Sequence, residues 1–136
     1  MNARILVVDD AATVRMYHCK QLRDVGWHTQ EASNGVEALE LLNQAELELP
    51  FDMLVVDINM PKMDGYRLVQ QLRTSKNLTQ LPVLMVSTES QALDSHRAFA
   101  AGVNSYLIKP VQPQALVLTA ALMLGDVEIA RQVGKK

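Results

Sequence analysis

The chain has 136 residues, 49% of them hydrophobic and 21% charged, which suits one domain of common size with a packed core. A formal net charge of −2, with no basic cluster apart from the Lys135-Lys136 end, argues against autonomous binding of nucleic acid. The single cysteine, Cys19, excludes an internal disulfide, and neither a signal-peptide core nor an apolar run of membrane-spanning length occurs, so a cytoplasmic protein without membrane contact is the expectation.

Taken in order, apolar runs alternate with helical patterns. Ile5–Val8 reads as a fully buried strand. Val14, His18, Leu22 and Val25 recur at helical spacing until Gly26 stops the helix. His28–Ala32 is a weaker strand, suited to a sheet edge. Asn34 and Glu37 form a capping pair that opens the second helix. Met53–Val56 is the third strand, and a helix follows Gly65 with Leu68, Val69 and Leu72 on its inner face. Val83–Val86 is the fourth strand. A helix from about Ser90 to Ala101 ends at Gly102, and Ser105–Ile108 is the fifth strand. Pro113, with its preset φ, opens a last helix that stops at Gly125.

Strands apolar on both faces and alternating with helices predict an open, doubly wound α/β fold built on a parallel sheet. Ligands of such folds bind outside the carboxyl ends of the strands. There the chain places Asp9-Asp10 after the first strand, Asp57 at the end of the third, Ser87-Thr88 after the fourth and Lys109-Pro110 after the fifth. Three carboxylates held close repel one another and call for a compensating cation. Oxygen donors alone suit Mg²⁺. Lys109 and Ser87 could hold phosphoryl oxygens, and Asp57 could be a nucleophile forming an aspartyl phosphate. Each piece has a plainer reading: Asp-Asp as turn chemistry, Ser87 as a helix cap, Lys-Pro as a surface turn. Their joint placement at successive strand ends carries the argument.

These residues resemble the receiver domain of bacterial response regulators. Val7-Val8-Asp9-Asp10, Asp57-x-x-Met60-Pro61-x-Met63-Asp64-Gly65, Val86-Ser87 and Lys109-Pro110 carry the likeness over roughly residues 4 to 124. Asp10-x-x-Thr13-x-Arg15 and Asn59-Met60-Pro61 are similar to the stand-alone chemotaxis (CheY-like) type. The resemblance implies a sheet order of 2-1-3-4-5. It implies that Asp57 accepts a phosphoryl group from a phosphohistidine on a sensor histidine kinase of the CheA-like kind. By the same resemblance, Asp10, Asp57 and the backbone carbonyl of Asn59 ligate Mg²⁺, Asp9 acts mainly through water, and Ser87 and Lys109 bind phosphoryl oxygens. Ser87, Tyr106 and Pro110 belong to the switch, with a cis Lys109-Pro110 bond expected. Asn59 and Glu89 match positions that tune self-dephosphorylation. The output partner is implied to meet the face of helix four, strand five and helix five. Helix four lacks the early lysine pair of motor-binding members, so no particular output partner is implied.

Residues 1–125 are thus expected to form the receiver and 126–136 a C-terminal tail, with no output domain in the chain. The last helix is unusual. Ala115–Leu124 has one polar residue and no charge, whereas an outer helix should show a polar face. Either the tail folds back over it through Val127, Ile129, Ala130 and Val133, or the face meets a partner or a second copy of the chain, the reading favoured here. Cys19 is placed one step off the buried stripe of the first helix. A phosphate sink and a phosphorylation-independent pseudo-receiver are alternative roles. A small-molecule phosphatase would need its nucleophile and a second carboxylate after the first strand. A nucleotide-binding flavodoxin-like protein would need a neutral phosphate loop where Asp9-Asp10 stands.

Overall fold

The computed structural model describes residues 2–45, 49–58, 60, 63–88 and 92–134, with residues 92–95 as backbone. The elements are β1 (Arg4–Val8), α1 (Ala12–Arg23), β2 (His28–Ala32), α2 (Gly35–Ala45), β3 (Met53–Asp57), α3 (Gly65–Thr74), β4 (Val83–Ser87), α4 (Ala92–Ala101), β5 (Ser105–Ile108), α5 (Pro113–Leu124) and α6 (Val127–Gly134). The five strands form one parallel sheet in the order β2-β1-β3-β4-β5.

Side chains alternate between the two faces of a strand, and the core divides accordingly. Leu6, Val8, Leu54, Val56, Val83 and Met85 pack beneath α2, α3 and α4. Ile5, Val7, Met53, Val55, Leu84 and Val86 pack beneath α1 and α5. Both sets are buried, which is why these runs carry no polar residue. β2 is an edge strand with an alternating pattern of exposure, as its weaker apolar character predicts. Asn34 Oδ1 accepts the Glu37 backbone N–H at 2.8 Å, completing the expected helix start. The Glu37 carboxylate reaches back to Ser33 Oγ at 2.8 Å.

One expectation needs correction. Cys19 is fully buried, not off the stripe: α1 turns His18, Cys19 and Leu22 inward while Val14 and Val25 are only partly covered. The helix lies against both β2 and α5, so its buried sector is broader than a single stripe. At α5, the tail itself covers much of the outer side. Gly125 takes φ 75°, a left-handed value that glycine adopts without a side-chain clash. The N–H of Asp126 bonds to the carbonyl of Ala121 at 2.8 Å, closing the helix end and reversing the chain. α6 then returns along α5, with Ile129, Ala130 and Val133 packed on the core beneath α1 and α5. Gln114 Nε2 donates to the Val133 carbonyl at 2.9 Å near the other end. The buried carboxylate of Asp126 accepts the indole N–H of Trp27 at 2.9 Å. The intramolecular reading thus accounts for much of the apolar outer side of α5, although Leu122 stays 67% exposed.

Candidate functional site

Strand register builds the site. Val8 pairs with Val56, so Asp9 emerges beside Asp57. Asp57 pairs with Val86 and Ser87 with Ile108, so Ser87 and Lys109 follow at the same end of the sheet. Neighbouring strands lie about 4.8 Å apart, within reach of one another's side chains. Asp9, Asp57 and Lys109 continue the alternation of Val7, Val55 and Leu107, the set facing α1 and α5. Ser87 continues that of Met85, on the opposite side.

The carboxylates of Asp9, Asp10 and Asp57 converge, with one oxygen of each within 4.8 Å of the others. Asp9 and Asp57 are buried and Asp10 is exposed. Lys109 Nζ lies 2.9 Å from Asp9 Oδ2 and 3.2 Å from Asp57 Oδ1. Asp9 Oδ1 accepts the Ala11 N–H at 2.9 Å, so both oxygens of Asp9 are engaged. The Lys109-Pro110 bond is cis. Ser87 is fully buried at the end of β4, and its carbonyl accepts the Lys109 N–H at 2.7 Å. Tyr106 is partly buried against the core beneath α2, α3 and α4. A crevice of about 430 Å³, lined by Val14, Tyr17, His18, Lys109 and Pro110 among others, opens beside the cluster.

The loop after Asp57 is held by a close approach. A Cβ on Gly65 would sit 2.5 Å from the Asp57 carbonyl oxygen, so only glycine lets α3 start there. The Gly65 N–H bonds to the Ile58 carbonyl at 2.9 Å, and Asp64 caps α3 by accepting from Arg67 N at 2.8 Å.

Burial, followed by the charge of Asp9, raises the pKa of Asp57 above the ordinary carboxylate value; Lys109 opposes this only in part. Burial also pulls Lys109 down, but its bonds to Asp9 and the charge of Asp57 outweigh that and leave it raised. A raised carboxylate pKa means that the folded state binds the proton more tightly than the unfolded one. Stability linked to Asp57 is thus present below the unfolded pKa, near 3.9, and lost as pH rises through the folded value. In metal-free buffer at neutral pH, Asp57→Asn is therefore expected to melt at a higher temperature than the wild type. The gap should narrow on acidification below pH 4. Equal or lower stability of the variant at neutral pH would contradict this account.

The profile of the response regulator receiver domain matches residues 5–121. The chain belongs to this family. It is 42% identical over 110 residues to chemotaxis protein CheY-3 of Vibrio cholerae, covering 80% of this chain and 82% of that protein. It is 36% identical to CheY1 of Helicobacter pylori over 123 residues, 90% and 97% of the two chains. The structure of Vibrio cholerae chemotaxis protein CheY4 superposes with a TM-score of 0.80 at 31% identity, covering 90% of this chain and 99% of that one. This is a CheY-like receiver, a domain of phosphorylation-based signalling.

Of the residues singled out from the receiver's sequence, the fold brings Asp9, Asp10, Asp57 and Lys109 together and puts Ser87, Tyr106 and Pro110 at the same end or on the adjoining strand. Asn59 and Glu89 lie outside the described residues. Sequence reasoning missed Glu31 and gave Arg15 no role beyond a motif position. Arg15 donates to the Asp9 carbonyl and to Glu31. A cation five residues after an acidic pair was the available signal for Arg15. Glu31 offered none, because only the β1–β2 register brings it near. No helix among the described residues is long and apolar enough to cross a membrane.

Proposed function

We propose that Asp57 accepts a phosphoryl group from a phosphohistidine of a CheA-like kinase and that the change is read on the face of α4, β5 and α5. A carboxylate oxygen of Asp57 attacks phosphorus, the P–N bond breaks, and its electron pair stays with the leaving imidazole. The observation that carries this reading is Lys109 bridging Asp9 and Asp57 beside the converged carboxylates. Phosphoryl transfer asks mainly for positioning and charge neutralisation, and this arrangement is suited to both.

The donor set is all oxygen and bears more negative charge than Lys109 offsets, which fits Mg²⁺ and disfavours softer metals. Asp10, Asp57 and the Asn59 carbonyl would hold the ion, with Asp9 acting through water. Bound there, it would supply charge neutralisation for the phosphoryl group. Lys109 keeps the carboxylates together and takes one phosphoryl oxygen, and the Ser87 hydroxyl donates to another. Tyr106 is the switch residue on β5, near the fold of Pro110. The exposed Phe99 of α4 and Ile108 of β5 support an output surface on that side.

Beryllofluoride with Mg²⁺ mimics the phosphoryl group and tests the reading without a kinase. It should raise the melting temperature of the wild type, because a ligand bound only to the folded state stabilises it by mass action. Asp57→Asn should show no such rise. A wild type indifferent to both reagents would reduce the chain to a phosphorylation-independent interaction module.

A further inference from the structure

Arg15 touches none of the three carboxylates, yet it is built into the turn that carries two of them. Its side chain is only 16% exposed. Nη1 donates to the backbone carbonyl of Asp9 at 2.7 Å, and Nε donates to Glu31 Oε1 at 2.8 Å. Glu31 stands on β2, in register with Val7 on β1. The planar guanidinium therefore links the edge strand to the first residue of the Asp9-Asp10 pair. The same turn is tied down by Asp9 N bonding to the Ala32 carbonyl at 3.2 Å and by Ala11 N bonding to Asp9 Oδ1 at 2.9 Å.

Charge alone gives no reason for this residue. A second cation beside Lys109 opposes the entry of a metal ion by simple Coulomb repulsion, softened here by Glu31. Its two-point hold supplies what a charge cannot, a fixed orientation of the Asp9 peptide and hence of the carboxylates on either side of it. A lysine ammonium on a flexible stem could not span both acceptors with the same geometry.

We propose that Arg15, anchored by Glu31, is a positioning residue for the metal-binding set, holding the Asp9-Asp10 turn so that its carboxylates converge with Asp57. The inference rests on the reading that Asp9, Asp10 and Asp57 form a Mg²⁺ site. Loss of such outer supports typically weakens metal binding by about 10- to 100-fold.

The test is a calorimetric Mg²⁺ titration of the full chain, wild type against Arg15→Lys and Arg15→Gln, with the metal-free melting temperature of each. Arg15→Lys keeps the charge and loses the fork. Its Mg²⁺ dissociation constant should rise about tenfold. Its metal-free melting temperature should fall little, because one partly exposed ion pair contributes little to stability. Arg15→Gln should also bind Mg²⁺ more weakly, although electrostatics alone predicts tighter binding once a neighbouring cation is gone. Wild-type affinity in Arg15→Lys, or tighter binding in Arg15→Gln, would overturn the proposal while leaving the metal site standing. A wild type that takes up no Mg²⁺ would remove the metal site and the proposal together. Should Arg15→Gln fail to fold, the lysine variant decides alone.

Discussion

Incubated with acetyl phosphate and Mg²⁺, the wild-type chain should gain the mass of one phosphoryl group and Asp57→Asn none. The expected contrast is all or nothing because the three carboxylates are not equivalent. Asp9 has one oxygen on Lys109 and the other on the Ala11 N–H, so using it as nucleophile would break both contacts. Asp10 is exposed, and no bond ties it to Lys109 among the described residues. Asp57 combines burial with a cationic partner that can follow the incoming phosphoryl group. Its raised pKa reflects an anion held at a cost in the resting state, a cost that added positive charge relieves. Chelation of Mg²⁺ should therefore suppress the uptake strongly. Lys109→Ala should still be modified, more slowly, because it loses a phosphoryl-oxygen partner and leaves Asp9 and Asp57 without their shared cation. Peptide mapping checks the site, and a phosphoryl group recovered on Asp9 or Asp10 would refute the assignment.

The second large effect is expected at Asp126. Its Oδ2 accepts the Trp27 indole N–H at 2.9 Å, and its Oδ1 accepts the Ile129 N–H at 3.3 Å, capping α6. Trp27 is 2% exposed, so Asp126→Ala strands a buried donor. Leaving such a group unsatisfied costs roughly 1–3 kcal/mol, and loss of a helix cap adds about 1. The combined loss should lower the unfolding free energy by about 2–4 kcal/mol in a urea titration. α6 has no fully buried residue of its own, so its hold on α5 depends heavily on this anchor. Asp126→Asn, which keeps an acceptor oxygen, should recover most of the loss. A change below about 0.5 kcal/mol, ordinary for a surface position, would show that the tail does not depend on Asp126.

How far the sequence discloses the fold depends on the range of the interaction. Ile5–Val8, Met53–Val56 and Val83–Val86 declare buried strands because their pattern is local, and Pro113 and Gly125 mark helix limits for the same reason. The strand ends then follow, and with them Asp9, Asp10, Asp57, Ser87 and Lys109. What escapes is pairing at long sequence separation. Trp27 and Asp126 are 99 residues apart. Arg73 on α3 holds the carbonyls of Gly102, Leu78 and Thr79 and the side chain of Asn104, tying the α3–β4 and α4–β5 loops together at the end of the sheet remote from the acidic site. Nothing in the periodicity around Arg73 marks it as more than a last-turn cation. The register of β1 with β2, which makes Glu31 a neighbour of the acidic turn, is equally invisible until the strands pair. Gly65 is an intermediate case. Its place in a turn is legible, but its reason, the 2.5 Å approach to the Asp57 carbonyl, is a property of packing.

The bond between Trp27 and Asp126 gives the molecule an optical gauge of its own tail. Trp27 is the only tryptophan, and its indole nitrogen is spoken for by the residue that caps α6. Undocking the tail would move that nitrogen from a carboxylate to water and shift the emission toward the red, whereas chemistry at Asp57 has no contact with the ring among the described residues. One fluorescence trace recorded while beryllofluoride is added therefore reads mechanical coupling across the body of the domain. A flat trace means that the switch and the tail work independently. A red shift means that a phosphoryl group at one end of the sheet loosens a latch at the other.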